Sequence, residues 1–262
     1  MTEMHHRETI AHYGPRSAAY VTSAVHSSGP DLDRIEAVLA ADSFARVLDL
    51  GCGGGHVSYR AAPHVGAVVA CDLTPQMIAA VEHTAAERGL GNVTGVIAAA
   101  EDLPFPDGHF DAVLCRFTAH HWADLDAGLA EARRVAQGGA LLAFIDTTAA
   151  GSRAADTHLQ TIEYLRDPSH VRNYTEAELT AALEQAGFAI GSVTRRQMRM
   201  DFAEWTARTR TPSEKQAMLR QLQAEAGAQV RERLGIEADG SFALDAAMFI
   251  AAVRRQGHLE CR

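Results

Sequence analysis

Arg46-Val-Leu-Asp-Leu-Gly-Cys-Gly-Gly-Gly-His56 is the stretch that decides the fold. A short apolar strand carrying Asp49 breaks into a turn of Gly51, Cys52, Gly53, Gly54 and Gly55, and a helix follows. Glycine suits a turn where φ is positive or where a Cβ would collide with a ligand. Asp72 stands 21 residues after Gly51, at the end of a second apolar strand. Together these features describe a nucleotide-like cofactor site, with backbone against the ligand and a carboxylate for its ribose. A dinucleotide site wants a third glycine where this chain has His56, and it seats a pyrophosphate on the helix N-terminus. Asp49, just before the turn, would repel a pyrophosphate and suits a cationic ligand.

Outward from this run the pattern alternates strand and helix. Val47 to Leu50, Val65 to Cys71, Val93 to Ala98, Asp111 to Cys115 and Ala140 to Ile145 read as the first five strands. Between them, Thr74 and Pro75 open a helix with Ile78, Val81 and Ala85 inward, and Gly89 stops it. A second helix starts near Ala123, with Leu125, Leu129 and Ala132 at helical spacing, and ends at Gly138-Gly139. Such alternation implies parallel strands joined by right-handed crossovers. Thr175-x-x-Glu178 is a capping box for a further helix closed by Gly187. Phe188 to Val193 and Ala246 to Val253 read as strands six and seven. Residues 8–41 read as helical, Ala149 to Tyr174 as a long polar connection, and Phe202 to Leu234 as a largely helical insertion. The insertion is expected to cover the active-site edge, with ordinary core packing as the other reading.

The chain has 262 residues, 47% apolar and 22% charged, and a net charge of −9. That length suffices for one α/β domain with a cap. The acidic balance argues against nucleic acid as partner, because such binders carry basic patches. No apolar run approaches the ~20 residues that span a bilayer, and Met1 to Ile10 lacks the apolar stretch of a signal peptide. Cys52, Cys71, Cys115 and Cys261 show no paired spacing. Reduced thiols in a cytoplasmic protein are the expectation.

Val47-Leu-Asp-Leu-Gly-Cys-Gly-Gly-Gly55 resembles motif I of the class I S-adenosylmethionine-dependent methyltransferases. Ala70-Cys-Asp72-Leu-Thr-Pro-Gln-Met77 resembles their ribose-binding segment, and Ala100-Glu-Asp-Leu-Pro-Phe-Pro-Asp-Gly-His-Phe-Asp111 their adenine-side segment. Arg134-Val-Ala-Gln-Gly-Gly-Ala140 resembles the joint into the fifth strand. The resemblance covers about residues 40–150 and is closest to the UbiE-like branch, named for ubiquinone and menaquinone C-methyltransferases. It implies a Rossmann-like, doubly wound seven-stranded sheet in order 3-2-1-4-5-7-6 with strand seven antiparallel. It also implies one methyltransferase domain over 1–262: a helical lid at 8–41, a cofactor-binding core at 42–150, and a C-terminal half at 151–262 capped at about 202–235. Carried over residue by residue, Asp49 sits under the methionine end, and Gly51, Cys52 and Gly53 put backbone against it. Asp72 holds the ribose hydroxyls, Leu73 and Met77 pack the nucleoside, Ala100 and Glu101 line the adenine edge, and the Arg116 backbone faces the methionine moiety. Many relatives carry an acid where this chain has Ala99, which cannot accept from the adenine amine. Glu101 is the candidate substitute.

The implied partner is a small, partly apolar methyl acceptor, methylated on carbon or oxygen. His120 and His121, just beyond the fourth strand, are the candidate general bases, since ligands of such folds bind at the carboxyl edge of the sheet. The other reading makes them a helix-start pair. Adjacent histidines point apart and no third ligand is placed, so no metal is expected. Tyr20 could reach the carboxylate of the methionine moiety or could simply pack. Met198, Met200, Phe202 and Trp205 could line an apolar acceptor pocket or the core. Arg195, Arg196, Arg208 and Arg210 read as solvated surface that could meet an acidic substrate, and His5-His6 as solvated terminus. Two other functions stay open: an S-adenosylmethionine-binding regulator or scaffold without transfer activity, and an RNA or protein methyltransferase. The last is opposed by charge and by Cys115-Arg-Phe-Thr where an Asn-Pro-Pro-Tyr-like element would stand.

Overall fold

The computed structural model describes residues 2–21 and 27–254. Five segments form parallel strands: β1 (Arg46–Leu50), β2 (Ala67–Asp72), β3 (Val93–Ile97), β4 (Phe110–Arg116) and the longer β5 (Ala136–Thr148). Successive side chains on a strand point to opposite faces, and here both faces are covered. Leu48, Val113 and Phe144 join one apolar cluster, while their neighbours Val47, Leu114 and Ile145 join another. The first cluster is roofed by α6 (Leu125–Val135) and α8 (Glu176–Gln185). The second is roofed by α3 (Pro30–Ala40), through Leu32, Ile35 and Leu39, and by α4 (His56–Ala61) through Val57. Helix α5 (Pro75–Glu87) packs on β2 and β3.

β6 (Phe188–Met200) and β7 (Phe242–Val253) complete the sheet, whose order is β3-β2-β1-β4-β5-β7-β6. β7 runs antiparallel to both β5 and β6. Between them the chain forms α9 (Phe202–Arg208), α10 (Ser213–Glu225) and α11 (Ala228–Leu234). These close a separate apolar cluster around Trp205, Phe202, Leu219, Val230 and Phe242. The Trp205 and Phe242 rings meet edge-on at 5.0 Å between centroids.

The sequence expectations fail in several places, among them β5, which takes in the Gly138-Gly139 pair where the preceding helix was expected to end, and β7, which starts at Phe242 and not at Ala246. The stretch expected to be a polar connection contains α7 (Arg153–Arg166). Ser152 caps it, its hydroxyl accepting from the Ala155 N–H at 3.2 Å, and Ala155, Leu159 and Ile162 lie inward at helical spacing. β6 continues seven residues past Val193, paired with β7 as far as Met200↔Phe242. Arg195 and Arg199 stand on its exposed side, the charged habit of an edge strand, whereas Arg196 turns to Asp31. The N-terminal region begins before residue 8 and includes α1 (Thr2–Tyr13), a 3-10 turn at Gly14–Arg16, α2 (Ser17–Val21) and α3. Residues 22–26 of the expected 8–41 segment, and Cys261, lie outside the described residues. Cys52, Cys71 and Cys115 are free thiols. Among the described residues no helix is long and apolar enough to cross a membrane.

Candidate active site

In open α/β sheets the crevice lies beyond the carboxyl ends of the strands, where the strand order reverses. Here that reversal falls between β1 and β4, and a cavity opens there. Tyr20, Asp49, Gly51, Cys52 and Gly53 line it from α2, β1 and the glycine turn. Asp72, Leu73, Met77, Ala100 and Glu101 line it beyond β2 and β3, and Arg116, His120 and His121 beyond β4. The residues expected to hold the cofactor and the two histidines after β4 therefore border one cavity.

At the glycine turn, Asp72 is the organising group. Gly53 N–H donates to its Oδ2 at 2.9 Å and Thr74 N–H to its Oδ1 at 2.8 Å. Gly51 holds φ +71, and a Cβ there would lie 2.2 Å from Thr118 Oγ1. The Gly51 and Cys52 N–H groups both donate to the Cys71 carbonyl, so these residues offer the cavity other backbone atoms. Asp49 is buried beneath the turn, and its Oδ2 accepts from both the N–H and the hydroxyl of Ser58, at 2.9 and 2.6 Å. Burial outweighs those bonds and pushes its pKa up to about 7. His56, standing where a third glycine would be, pairs through Nε2 with the Tyr20 carbonyl at 2.9 Å and so ties α2 to the turn. Glu101 is already engaged, contacting His6 Nε2 at 3.4 Å and accepting from Asp124 N–H at 3.3 Å.

The two histidines after β4 do different things. His120 Nδ1 is hydrogen-bonded to Asp146 Oδ1, whose other oxygen accepts from the His120 N–H at 3.1 Å. Its Nε2 has no partner among the described residues. Burial works to lower the His120 pKa, but the charge and hydrogen bond of Asp146 win and hold it above the ordinary value. His121 is used at both ring nitrogens: Nε2 meets the Tyr13 hydroxyl at 2.8 Å and Nδ1 the Ser169 carbonyl at 3.2 Å. Burial and the neighbouring His120 push its pKa well down. The Tyr13 hydroxyl donates to Asp167 at 2.6 Å, and the Ser169 hydroxyl does the same at 2.6 Å. Asp167, fully enclosed, is thus the node that holds α1 to the loop after α7.

The rest of the wall departs from expectation. His5 and His6 are not a solvated terminus: His5 Nε2 pairs with the His121 carbonyl at 2.8 Å, and His6 lines the cavity. The Arg116 side chain turns to Asp31, which also holds Arg196 at 3.0 Å, so Arg196 is structural rather than free surface. Phe117 between these guanidiniums holds φ +54, a strained conformation of the sort that gathers at functional sites. Met198, Met200 and Trp205 line the cavity, whereas Phe202 lies beneath Trp205 with Arg220 over its ring. Glu163, Arg166 and Arg208 line it too. The first two escaped notice because α7 did. The inward Ala155, Leu159 and Ile162 were the signal that would have found them.

Comparison with known proteins agrees with this geometry. A family model described as a methyltransferase domain matches residues 48–144. The chain is 37% identical over 198 residues to the uncharacterized protein YafE of Escherichia coli K12, covering 76% of this chain and 96% of that one. It is 28% identical over 207 residues to the uncharacterized methyltransferase YcgJ of Bacillus subtilis, covering 79% and 82%. The YcgJ crystal structure superposes with a TM-score of 0.81, over 86% of this chain and 99% of that one. A UbiE C-methyltransferase of Shewanella is 39% identical over 102 residues, 37% of this chain and 41% of the enzyme. The chain belongs to the class I S-adenosylmethionine-dependent methyltransferases, with a UbiE-like likeness over 37% of its length.

Proposed function

We propose that this chain binds S-adenosylmethionine in the cavity at the β1–β4 switch point and methylates a small, partly apolar metabolite there, on carbon or oxygen. Asp72 carries the reading. Its carboxylate closes the glycine turn and borders the cavity at the place where ribose hydroxyls could donate to it. The turn also leaves room: a Cβ added at Gly53 would meet no atom of the chain within 4 Å, so the wall is a cradle that the protein does not fill.

When bound, S-adenosylmethionine supplies a methyl group on a positively charged sulfur, open to in-line displacement. The chain's part is alignment, charge and water exclusion. Asp49 is a buried carboxylate suited to a cationic neighbour. Leu73 and Met77 give the nucleoside an apolar bed, with Ala100 and Glu101 at its edge, and Tyr20 and Arg116 border the amino-acid end. His120, oriented by Asp146 and open at Nε2, is the group that could take a proton from an acceptor hydroxyl or acidic carbon. His121 is a positioning residue, since both its nitrogens hold the protein together.

Calorimetry tests the cofactor reading. The native protein should bind S-adenosylmethionine, and Asp72→Ala should weaken binding by at least about tenfold, the scale of one charge-assisted hydrogen-bond site. Absence of binding by the native protein would sink the reading. Transfer of labelled methyl across a metabolite extract, undiminished in His120→Ala, would remove the proton-acceptor role alone.

A further inference from the structure

The acceptor side of the cavity has a wall of its own. Met198 and Met200 of β6, Trp205 of α9 and Leu244 of β7 present an apolar surface, and Arg208 stands one helical turn beyond Trp205 on the same side of α9. The other charged groups here are balanced. Arg166 gives two hydrogen bonds to Glu163, at 2.8 and 3.1 Å, and lies over the Trp205 ring at 4.9 Å. His120 has Asp146, and Asp167 has the Tyr13 and Ser169 hydroxyls. Arg208 has no hydrogen-bond or ion-pair partner among the described residues. Its electrostatic neighbours are Arg166, Tyr20, Glu163 and Tyr13. Of these the one carboxylate is already taken by Arg166.

A guanidinium stays charged in proteins. Arg208 is half-buried on the cavity wall, where its planar fork of donors is open to an anion that a ligand delivers. Trp205 Nε1, buried on the same wall, also lacks an acceptor among the described residues. We propose that Arg208 recognises a carboxylate on the methyl acceptor, so that the substrate is an organic acid whose apolar body lies against Trp205, Met198, Met200 and Leu244. This rests on the methyl-transfer reading for the word acceptor, while the anion subsite itself stands on the wall's own chemistry. The cofactor's amino-acid carboxylate is the competing source of the same charge. Arg208 shares its helix with Trp205 of the apolar wall, which favours the acceptor, while Tyr20 among its neighbours is the link to the cofactor's amino-acid end that the experiment must separate.

Phenylacetate and its neutral analogue phenylacetamide serve as probes, titrated into the protein with and without saturating S-adenosylhomocysteine. The native protein should prefer the acid by about tenfold or more, the discrimination expected of a charge-assisted bidentate pair. Arg208→Gln should erase that preference and leave the S-adenosylhomocysteine affinity unchanged, and Arg208→Lys should restore part of it. Equal binding of acid and amide, or binding of neither, overturns the proposal. So does an Arg208→Gln protein whose loss falls on S-adenosylhomocysteine, which assigns the residue to the cofactor. If S-adenosylhomocysteine fails to bind the native protein while the acid preference persists, the methyl-transfer reading falls and the anion subsite remains.

Discussion

Asp49 was legible as an acid beneath the glycine turn, but not as one poised to titrate at neutral pH. Burial disfavours its charge more than the two Ser58 bonds favour it, which places its pKa at about 7. A cation beside it would favour the ionised form. The sign follows: below pH 7 the cofactor must expel a proton to gain the attraction, and above pH 7 it need not. S-adenosylmethionine should therefore bind about tenfold more tightly at pH 8 than at pH 6, if only the carboxylate form attracts it. S-adenosylhomocysteine, uncharged at sulfur, should show little of this dependence, and Asp49→Asn should flatten the curve for S-adenosylmethionine. Calorimetry with both ligands across that range reads the difference. Parallel curves for the two ligands would mean that Asp49 does not sense the sulfonium.

At the scale of elements, the first helix is held by polar contacts more than by an apolar face. Thr9 is the one buried residue of α1. Its attachments are His5 to the His121 carbonyl, His6 to Glu101, and Tyr13 to Asp167 and His121. This explains why the sequence hid the helix's role. Core contact leaves an apolar period, whereas a latch of histidines and a tyrosine leaves a polar segment that reads as solvated terminus. The same reason hid α7, whose exposed Arg153, Thr157 and Thr161 mask a narrow inward stripe, and the second half of β6. The motif-bearing strands were legible because they are buried on both faces and must be apolar. A hydrogen bond to a charged group contributes about 1.5–3 kcal/mol. Tyr13→Phe should accordingly speed amide exchange in Thr2–Tyr13 by about tenfold or more, with β1 and β4 unaffected. Unchanged exchange in α1 would show that Tyr13 is not its anchor.

Across the whole molecule, the cavity is where otherwise separate layers meet. Two large clusters cover the faces of the sheet, a smaller one lies between β2 and α5 beside the glycine turn, and α7, α9, α10 and α11 share a further one with the ends of β6 and β7. The helices after β6 share little apolar contact with the glycine turn, yet Trp205 and Arg208 face the same cavity as Gly51 and Asp72. A ligand there joins the layers through contacts that the protein does not itself make. Binding to the folded state alone adds about 2.7 kcal/mol at a hundred times Kd. For a chain of this size that should raise Tm by about 5–10 °C. The distribution of the gain matters more than its size. If α1 and the insertion after β6 both close the site, S-adenosylhomocysteine should slow amide exchange in Thr2–Tyr13 and Phe202–Leu234 as well as around Gly51 and Asp72. Should protection stop at the strand ends of β1, β2 and β4, the cofactor would be held by the sheet edge alone. The N-terminal helix and the insertion would then serve packing rather than closure.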